Sequence, residues 1–309
     1  MVLPRISIII PVYNVEKYIE QCLDSVINQT MQDIQVICVN DGTLDNSRTI
    51  LQKYADEDAR IEIVDKYNGG LSSARNTAFP YIKGKYTMFV DSDDWIELDL
   101  SEKAYKRAEE NDASITIFFY KHEYKPKNVV WDAMYGDVSY DDKFIVGNKF
   151  SLFDYPTAWS KLWLSDFLIG NEIYFPEDLV FEDLSNHWKA VILAQKIVVL
   201  PDQLYHYRYH TESICGRIGT HYYDIIKVFD TIFSFLHESG NYHIYKEKYH
   251  WQKLVQIYIW YGRISNIYKQ EFKELIRSNL TKEDKEFYLE SNSVEDYLFQ
   301  FYKVEIGGR

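Results

Sequence analysis

The sequence predicts an α/β protein built on an open, mostly parallel sheet with helices on both faces. Three observations carry this prediction. Short continuous runs rich in Ile and Val recur through the first 120 residues, the pattern of strands buried on both faces. Stretches with one apolar face at helical spacing lie between them. Polar clusters follow the runs directly, on the edge where open α/β sheets hold their ligands.

Taken in order, Ile6 to Ile10 predicts the first strand, stopped by Pro11. A helix over about 15–27 places Tyr18, Ile19, Cys22, Leu23, Val26 and Ile27 on one face, with Asn14 as its cap. Ile34 to Val39 is the second strand, and Asp45 or Ser47 caps a helix reaching Tyr54. Ile61 to Val64 is the third strand, Ser72 to Phe79 a short helix, and Tyr86 to Val90 the fourth strand. Ser101 caps a helix to about Asn111, and Ser114 to Tyr120 is the fifth strand. Residues 121–158 read as irregular and polar. Order returns with Trp159 to Leu168, a helix across Leu184 to Leu193, and the strand Lys196 to Leu200.

From His221 onward the pattern is helical. Tyr222, Ile225, Ile226, Phe229, Ile232, Phe233 and Leu236 trace one face, and a longer helix runs from Tyr242 to Tyr268. Thr281-x-x-Asp284 and Ser293-x-x-Asp296 read as capping boxes for two more. The predicted organisation is an α/β domain over 1–215 and a helical region over 216–309.

A net charge of −13 excludes a general nucleic-acid binder, which would show a basic surface. Cys22, Cys38 and Cys215 have no metal-ligand spacing and read as buried thiols of a reducing compartment. The amino terminus shows no signal-peptide pattern, and no apolar run approaches the length of a membrane span. The expected location is therefore cytoplasmic.

Four polar clusters fall at the carboxyl ends of the predicted strands and together outline a cleft. They are Pro11-Val12-Tyr13-Asn14, Asn40-Asp41-Gly42-Thr43, the Asp65, Lys66, Asn68-Gly69-Gly70 group, and Asp91-Ser92-Asp93-Asp94 before Trp95. Each alone also reads as a solvated turn. Carboxylates clustered as closely as those of 91–94 repel one another unless a cation sits among them. Mg2+ or Mn2+ held by one or two carboxylates plus substrate phosphates is the usual solution.

Several motifs then occur in order. They are Ser-Ile-Ile-Ile-Pro-Val-Tyr-Asn at 7–14, Val39-Asn40-Asp41-Gly42, Gly70-Leu71-Ser72-Ser73-Ala74-Arg75-Asn76 and Phe89-Val90-Asp91-Ser92-Asp93-Asp94. Ala158-Trp159-Ser160-Lys161-Leu162-Trp163, Phe181-Glu182-Asp183 and Leu204-Tyr205-His206-Tyr207-Arg208 with Ser213-Ile214 follow. Over about 1–215 the chain resembles the family 2 glycosyltransferases of GT-A fold, in particular bacterial members that build surface polysaccharides. One departure is Thr43-Leu44, where the family more often has Ser-Thr ahead of the residue matching Asp45.

The resemblance implies a non-processive, inverting transferase that moves a hexose from a nucleotide diphosphate sugar, UDP-linked, to a saccharide or lipid-linked saccharide. It implies that Asp41 contacts the base, helped by the backbone of Pro11, Val12 and Tyr13, and that Asn68, Arg75 and Asp91 contact the nucleoside. Asp93 matches the carboxylate that binds Mn2+ or Mg2+, next to Ser92, while Asp94 and Trp95 approach the donor sugar. Asp183 matches the general base, with Glu182 in support. Arg208, His210 and Ser213 resemble a loop that closes over the diphosphate. Lys161 is a candidate for an acidic partner or the acceptor.

Two other readings share parts of this pattern. A sugar-phosphate nucleotidyltransferase would carry a Gly-rich loop after the first strand, where Pro11-Val12-Tyr13-Asn14 stands instead. A non-catalytic nucleotide-sugar-binding module would not need both Asp93 and Asp183. In 241–277, seven Lys/Arg stand against three Glu among eight Tyr and Trp residues. That composition fits an interfacial helix at the inner face of the cell membrane. It equally fits a homodimer contact, or an aromatic core helix with a solvated basic face.

Overall fold

The computed structural model describes residues 3–123, 150–154, 156–210, 219–291 and 294–307. Ser213, Cys215 and Ser293 lie outside them, as does most of the segment read as irregular. The chain divides into two compact units. One comprises Met1–Asp178 and Asn186–His210, the other Leu179–Ser185 and Thr211–Arg309.

The first unit holds a mixed sheet of eight strands in the order β3-β2-β1-β4-β7-β6-β8-β5. Its strands are β1 (Ile6–Val12), β2 (Ile34–Asn40), β3 (Ile61–Asp65), β4 (Tyr86–Phe89), β5 (Trp95–Ile96), β6 (Ile115–Glu123), β7 (Lys161–Leu164) and β8 (Ile197–Arg208). Strands β1 to β4 are parallel neighbours, and β6 and β8 are parallel to each other. Strand β7 runs antiparallel between β4 and β6.

Strand β1 does not stop at Pro11, because the ladder to β4 has already ended at Ile9–Phe89 while that to β2 continues through Pro11–Val39. A residue without an N–H is tolerated where one neighbour has stopped.

The helices of this unit are α1 (Ile19–Ile27), α2 (Ser47–Glu57), α3 (Gly70–Thr77), α4 (Leu100–Asn111) and α5 (Ser165–Gly170). Helix α1 buries Ile19, Cys22, Leu23 and Val26, the predicted face. It starts four residues later than the pattern suggested. Asn14 takes φ 53° and turns its carboxamide to the 43–44 loop, accepting from Leu44 N–H at 2.8 Å. Ser101 lies inside α4 rather than capping it, its N–H bonded to Gln29 at 2.9 Å.

Helix α6 (Glu182–Leu193) begins in the second unit and continues in the first. The second unit is otherwise helical: α7 (Asp224–Glu238), α8 (Tyr242–Arg263), α9 (Asn266–Asn279), α10 (Lys282–Glu290) and α11 (Asp296–Phe301). The helix predicted to reach Tyr268 ends at Arg263. Gly262 weakens its last turn, and Ile264 and Ser265 take extended backbone with ψ of 142° and 143°. The Thr281/Asp284 capping box is formed.

Several basic residues of 241–277 are engaged within the unit. Lys253 pairs with Asp284, Lys273 with Glu305, and Arg277 donates to the Ile306 carbonyl. Lys248 and Arg263 lie over Trp251 and Trp260. Tyr249 and Trp260 are buried, and the other six Tyr and Trp side chains of the segment are half-buried. Among the described residues no helix is long and apolar enough to cross a membrane.

Candidate active site

The parallel run β3-β2-β1-β4 brings four carboxyl ends onto one edge. Asp41 follows β2 and is buried. Its Oδ1 accepts from Lys66 Nζ at 2.6 Å and from the Gly69 N–H at 2.9 Å. Its Oδ2 accepts from the Gly70 N–H at 2.8 Å and from Asn68 Nδ2 at 3.1 Å. The carboxylate thus sits on the amino terminus of α3, where the helix dipole favours an anion. Gly42 permits the close approach: its φ is +68°, and a Cβ there would lie 2.9 Å from the Asn68 nitrogen. Asp41 and Asn68 are brought together as the sequence predicts, with Lys66 as a third member.

Arg75, on α3, is buried over the Phe175 ring and donates to Asp91 Oδ1 at 2.8 Å. Asp91 begins a tight turn closed by the Asp94 N–H on its own carbonyl at 3.0 Å. That turn carries Asp93 and delivers Trp95 into β5, which pairs with β8 at His206.

Asp94 was expected against the donor sugar. The structure buries it and engages both its oxygens with protein: the Arg208 N–H on Oδ1 at 2.7 Å and the Tyr205 hydroxyl on Oδ2 at 2.8 Å. Burial, and then the charges of Asp93 and Asp91, push its carboxyl well above the usual range. The Tyr205 hydroxyl also accepts from the Asp91 N–H at 3.1 Å. Tyr205 thereby ties both ends of the acidic turn to β8, a role that nothing in its sequence spacing signals.

Arg208 is the last residue of β8 rather than part of a loop. The strand runs past Pro201 because its register to β6 shifts between Phe118 and Tyr120, skipping Pro201 and Asp202 and then Leu204. The Arg208 guanidinium donates to the Asp93 carbonyl at 2.8 Å and to Gln21. It lies over the rings of Tyr18 (5.0 Å) and Trp95 (4.7 Å). Trp95 in turn stacks on His206 at 4.8 Å.

Asp93 Oδ2 accepts from His210 Nε2 at 2.8 Å, and the His210 ring lies 4.9 Å from that of Tyr18. The described residues contain no group of three His, Cys, Asp or Glu side chains able to hold a metal unaided. A carboxylate and an imidazole side by side nevertheless suit an ion that takes its remaining oxygens from substrate phosphates. Asp91, Asp93 and Asp94 also stand within four residues, so negative charge is concentrated at this turn. The residues present therefore fit Mn2+ or Mg2+.

Of the other predicted residues, Pro11 and Val12 are buried in β1, Ser92 is buried in the turn, and Tyr13 is exposed. Lys161 is buried, and its ammonium donates to the Thr157 carbonyl. His187 is a core residue on the Leu152 carbonyl, its imidazole pushed well below the ordinary range by burial and the Lys161 charge.

Glu182 and Asp183 are the first two residues of α6, in the second unit. Glu182 is buried and Asp183 half-buried. Phe181 before them takes a left-handed φ of 69°.

Residues 7–162 match the family model described as Glycosyl transferase family 2. The chain belongs to that family of transferases. Glycosyltransferase GlyA of Streptococcus pneumoniae serotype 4 is 34% identical over 70% of this chain and 32% of its own length. The Bacillus subtilis protein named "Uncharacterized glycosyltransferase EpsJ" is 35% identical over 69% of this chain and 63% of its own. The family 2 chain thus spans less than two thirds of the length of either relative. Among solved structures, S. aureus TarS 1-349 in complex with UDP-GlcNAc matches with a TM-score of 0.64 at 20% identity, covering 96% of this chain and 78% of that one. That likeness shows the GT-A-type α/β fold.

Proposed function

We propose that the protein transfers a hexose from a UDP-linked sugar to a hydroxyl of a saccharide or lipid-linked saccharide, inverting the anomeric carbon in one displacement. The observation that most supports this reading is the set of charged groups beyond the carboxyl ends of β2 and β4. There the Asp41 loop, the Arg75–Asp91 pair and the Asp93–His210 pair follow one another along a single sheet edge. A nucleoside, a diphosphate and a sugar need the same succession of contacts. The fold match to a protein solved with UDP-GlcNAc favours uridine as the base.

In this reading Asp41 and Asn68 shape the base pocket, and Arg75 fixes Asp91 against the ribose. Asp93 and His210 would hold Mn2+ or Mg2+ together with the diphosphate; when bound, the ion neutralises charge on the departing group. Arg208 lies beside Asp93, where its guanidinium suits phosphate oxygens. Asp94 and Tyr205 act by fixing the turn rather than by touching the sugar.

Asp183 takes the proton of the acceptor hydroxyl as the oxygen attacks, a task for a positioned carboxylate. Its place is the first turn of α6, where the helix dipole favours an anion. Glu182, buried beside it, supports that turn. The first unit would then bind the donor, and the second would bear the base and contribute to acceptor choice.

The test is a panel of UDP-sugars assayed for release of UDP with Mn2+ or Mg2+, with water or oligosaccharides as acceptors. Asp183→Asn should lower turnover by about a hundredfold or more while UDP binding by calorimetry is retained. Unchanged turnover would remove Asp183 from the role of base.

A further inference from the structure

The turn that carries Glu182 and Asp183 is built against aromatic side chains of the C-terminal helices. Phe181 stands in the left-handed region at φ 69°, a strained conformation for a non-glycine residue. Its surroundings hold it there. Its ring packs on Trp260 of α8 at 4.4 Å between centroids, and lies stacked over Tyr222 at 6.4 Å. Tyr222 also stacks on Trp260 at 4.9 Å.

Trp260 itself has little freedom. It is buried, its indole N–H donates to Gln256 at 3.0 Å, and the Arg263 guanidinium lies 5.2 Å from its ring. On the other side of Phe181, the Val180 N–H donates to Asp224 at 3.2 Å. The Phe181 carbonyl then accepts the Leu184 N–H at 3.1 Å, starting α6. The backbone direction from which Asp183 leaves the turn is therefore set two residues earlier, at Phe181, by a ring that Trp260 grips.

We propose that Trp260 is a positioning residue for the transfer reaction, fixing the base-bearing turn through Phe181 without touching substrate. The proposal rests on the reading of Asp183 as the base. Its consequence is that a C-terminal helix governs the chemical step and not donor binding. A misplacement of about 1 Å at a catalytic group costs on the order of 100-fold in rate.

The experiment uses the full chain and the UDP-sugar that the panel selects, with Asp183→Asn as reference. Trp260→Leu should lower kcat by about 100-fold, with the affinity for UDP and Mn2+ measured by calorimetry within about twofold of wild type. Trp260→Phe keeps a ring against Phe181 and should recover most of the loss. Circular dichroism establishes that each variant is folded, and Trp260→Phe carries the test alone where Trp260→Leu is not. A full rate in folded Trp260→Leu, or equal rates for Leu and Phe, would overturn the proposal. So would a loss that falls on UDP affinity instead of kcat. A wild-type rate in Asp183→Asn would instead remove the base assignment on which the proposal stands.

Discussion

Replacing Asp284 by Ala should unfold the C-terminal helical unit well before the sheet. The side chain is fully buried and accepts hydrogen bonds at both oxygens. Oδ1 accepts from His250 Nδ1 at 2.7 Å, and Oδ2 from Lys253 Nζ at 2.8 Å, the Thr281 N–H at 2.9 Å and the Thr281 hydroxyl at 3.0 Å. Lys253 and His250 are themselves buried, so truncation strands their polar groups away from water. Removing one partner of a buried pair costs roughly 3–5 kcal/mol. Loss of the capping box adds up to about 1 kcal/mol, partly the same energy because one carboxylate does both. For a unit of roughly 100 residues, each kcal/mol lowers Tm by about 4–8 °C, so the fall is about 12–40 °C.

The assay is thermal unfolding followed by far-ultraviolet circular dichroism, with UDP binding measured alongside. The helical transition should move down while UDP binding persists above it. Adding Lys253→Met to Asp284→Leu should recover part of the loss, since apolar groups of similar volume can replace a buried pair. A fall in Tm of less than about 2 °C, or one unchanged by the second substitution, would refute the reasoning. The pH dependence has a definite sign. Burial pushes the Asp284 carboxyl up, but hydrogen bonds from His250 and Lys253 and the Lys253 charge outweigh it, and the group is held below its ordinary range. Its stabilisation is complete above about pH 4–5 and disappears as the pH falls through the depressed value. Asp284→Ala should lack that acid-induced step.

Gly42→Ala must adopt a left-handed φ with its Cβ against the Asn68 nitrogen; UDP affinity should fall about tenfold or more, read by calorimetry. Tyr205→Phe removes the hydroxyl that joins the Asp91 N–H to Asp94; it should cost about 1–3 kcal/mol in denaturant unfolding and raise the donor KM. Arg75→Ala leaves Asp91 without the guanidinium at 2.8 Å; it should raise the donor KM more than it lowers kcat in initial-rate assays. Chelation by EDTA should abolish turnover and Mn2+ should restore it, whereas Asp93→Asn should require far higher Mn2+ for the same rate.

Much of the first unit was legible because its strands are buried on both faces and its helices on one, so periodicity alone separates them. The boundaries that failed did so for tertiary reasons. Pro11 stays in β1 because β4 has ended beside it. Asn14 leaves the helix start because its side chain is needed by the Thr43 loop. Strand β8 continues past Pro201 only because β6 tolerates two register shifts. The short strands β5 and β7 gave no signal of their own, since four residues or fewer cannot show a period. The basic, aromatic stretch 241–277 was ambiguous for a different reason: composition does not say which Lys faces a buried carboxylate, and Lys253 does.

The acidic turn shows why spacing alone does not separate the roles of neighbouring carboxylates. Three carboxylates stand within four residues, and the fold treats each differently. Asp91 receives a full countercharge from buried Arg75. Asp94 receives only hydrogen bonds from a backbone N–H and a phenol, so its burial and its neighbours raise its carboxyl. Asp93 alone pairs with a side chain at the rim, His210. Spacing could name the cluster, but only the partners decide which carboxylate is structural, which is neutralised by protein, and which remains to meet a cation brought with the substrate. The Asp93–His210 pair is the one of the three whose rearrangement leaves the turn intact, because Tyr205 and Arg208 hold its backbone independently. In the proposed function, a metal-bearing diphosphate would then arrive and leave without remodelling the acidic turn.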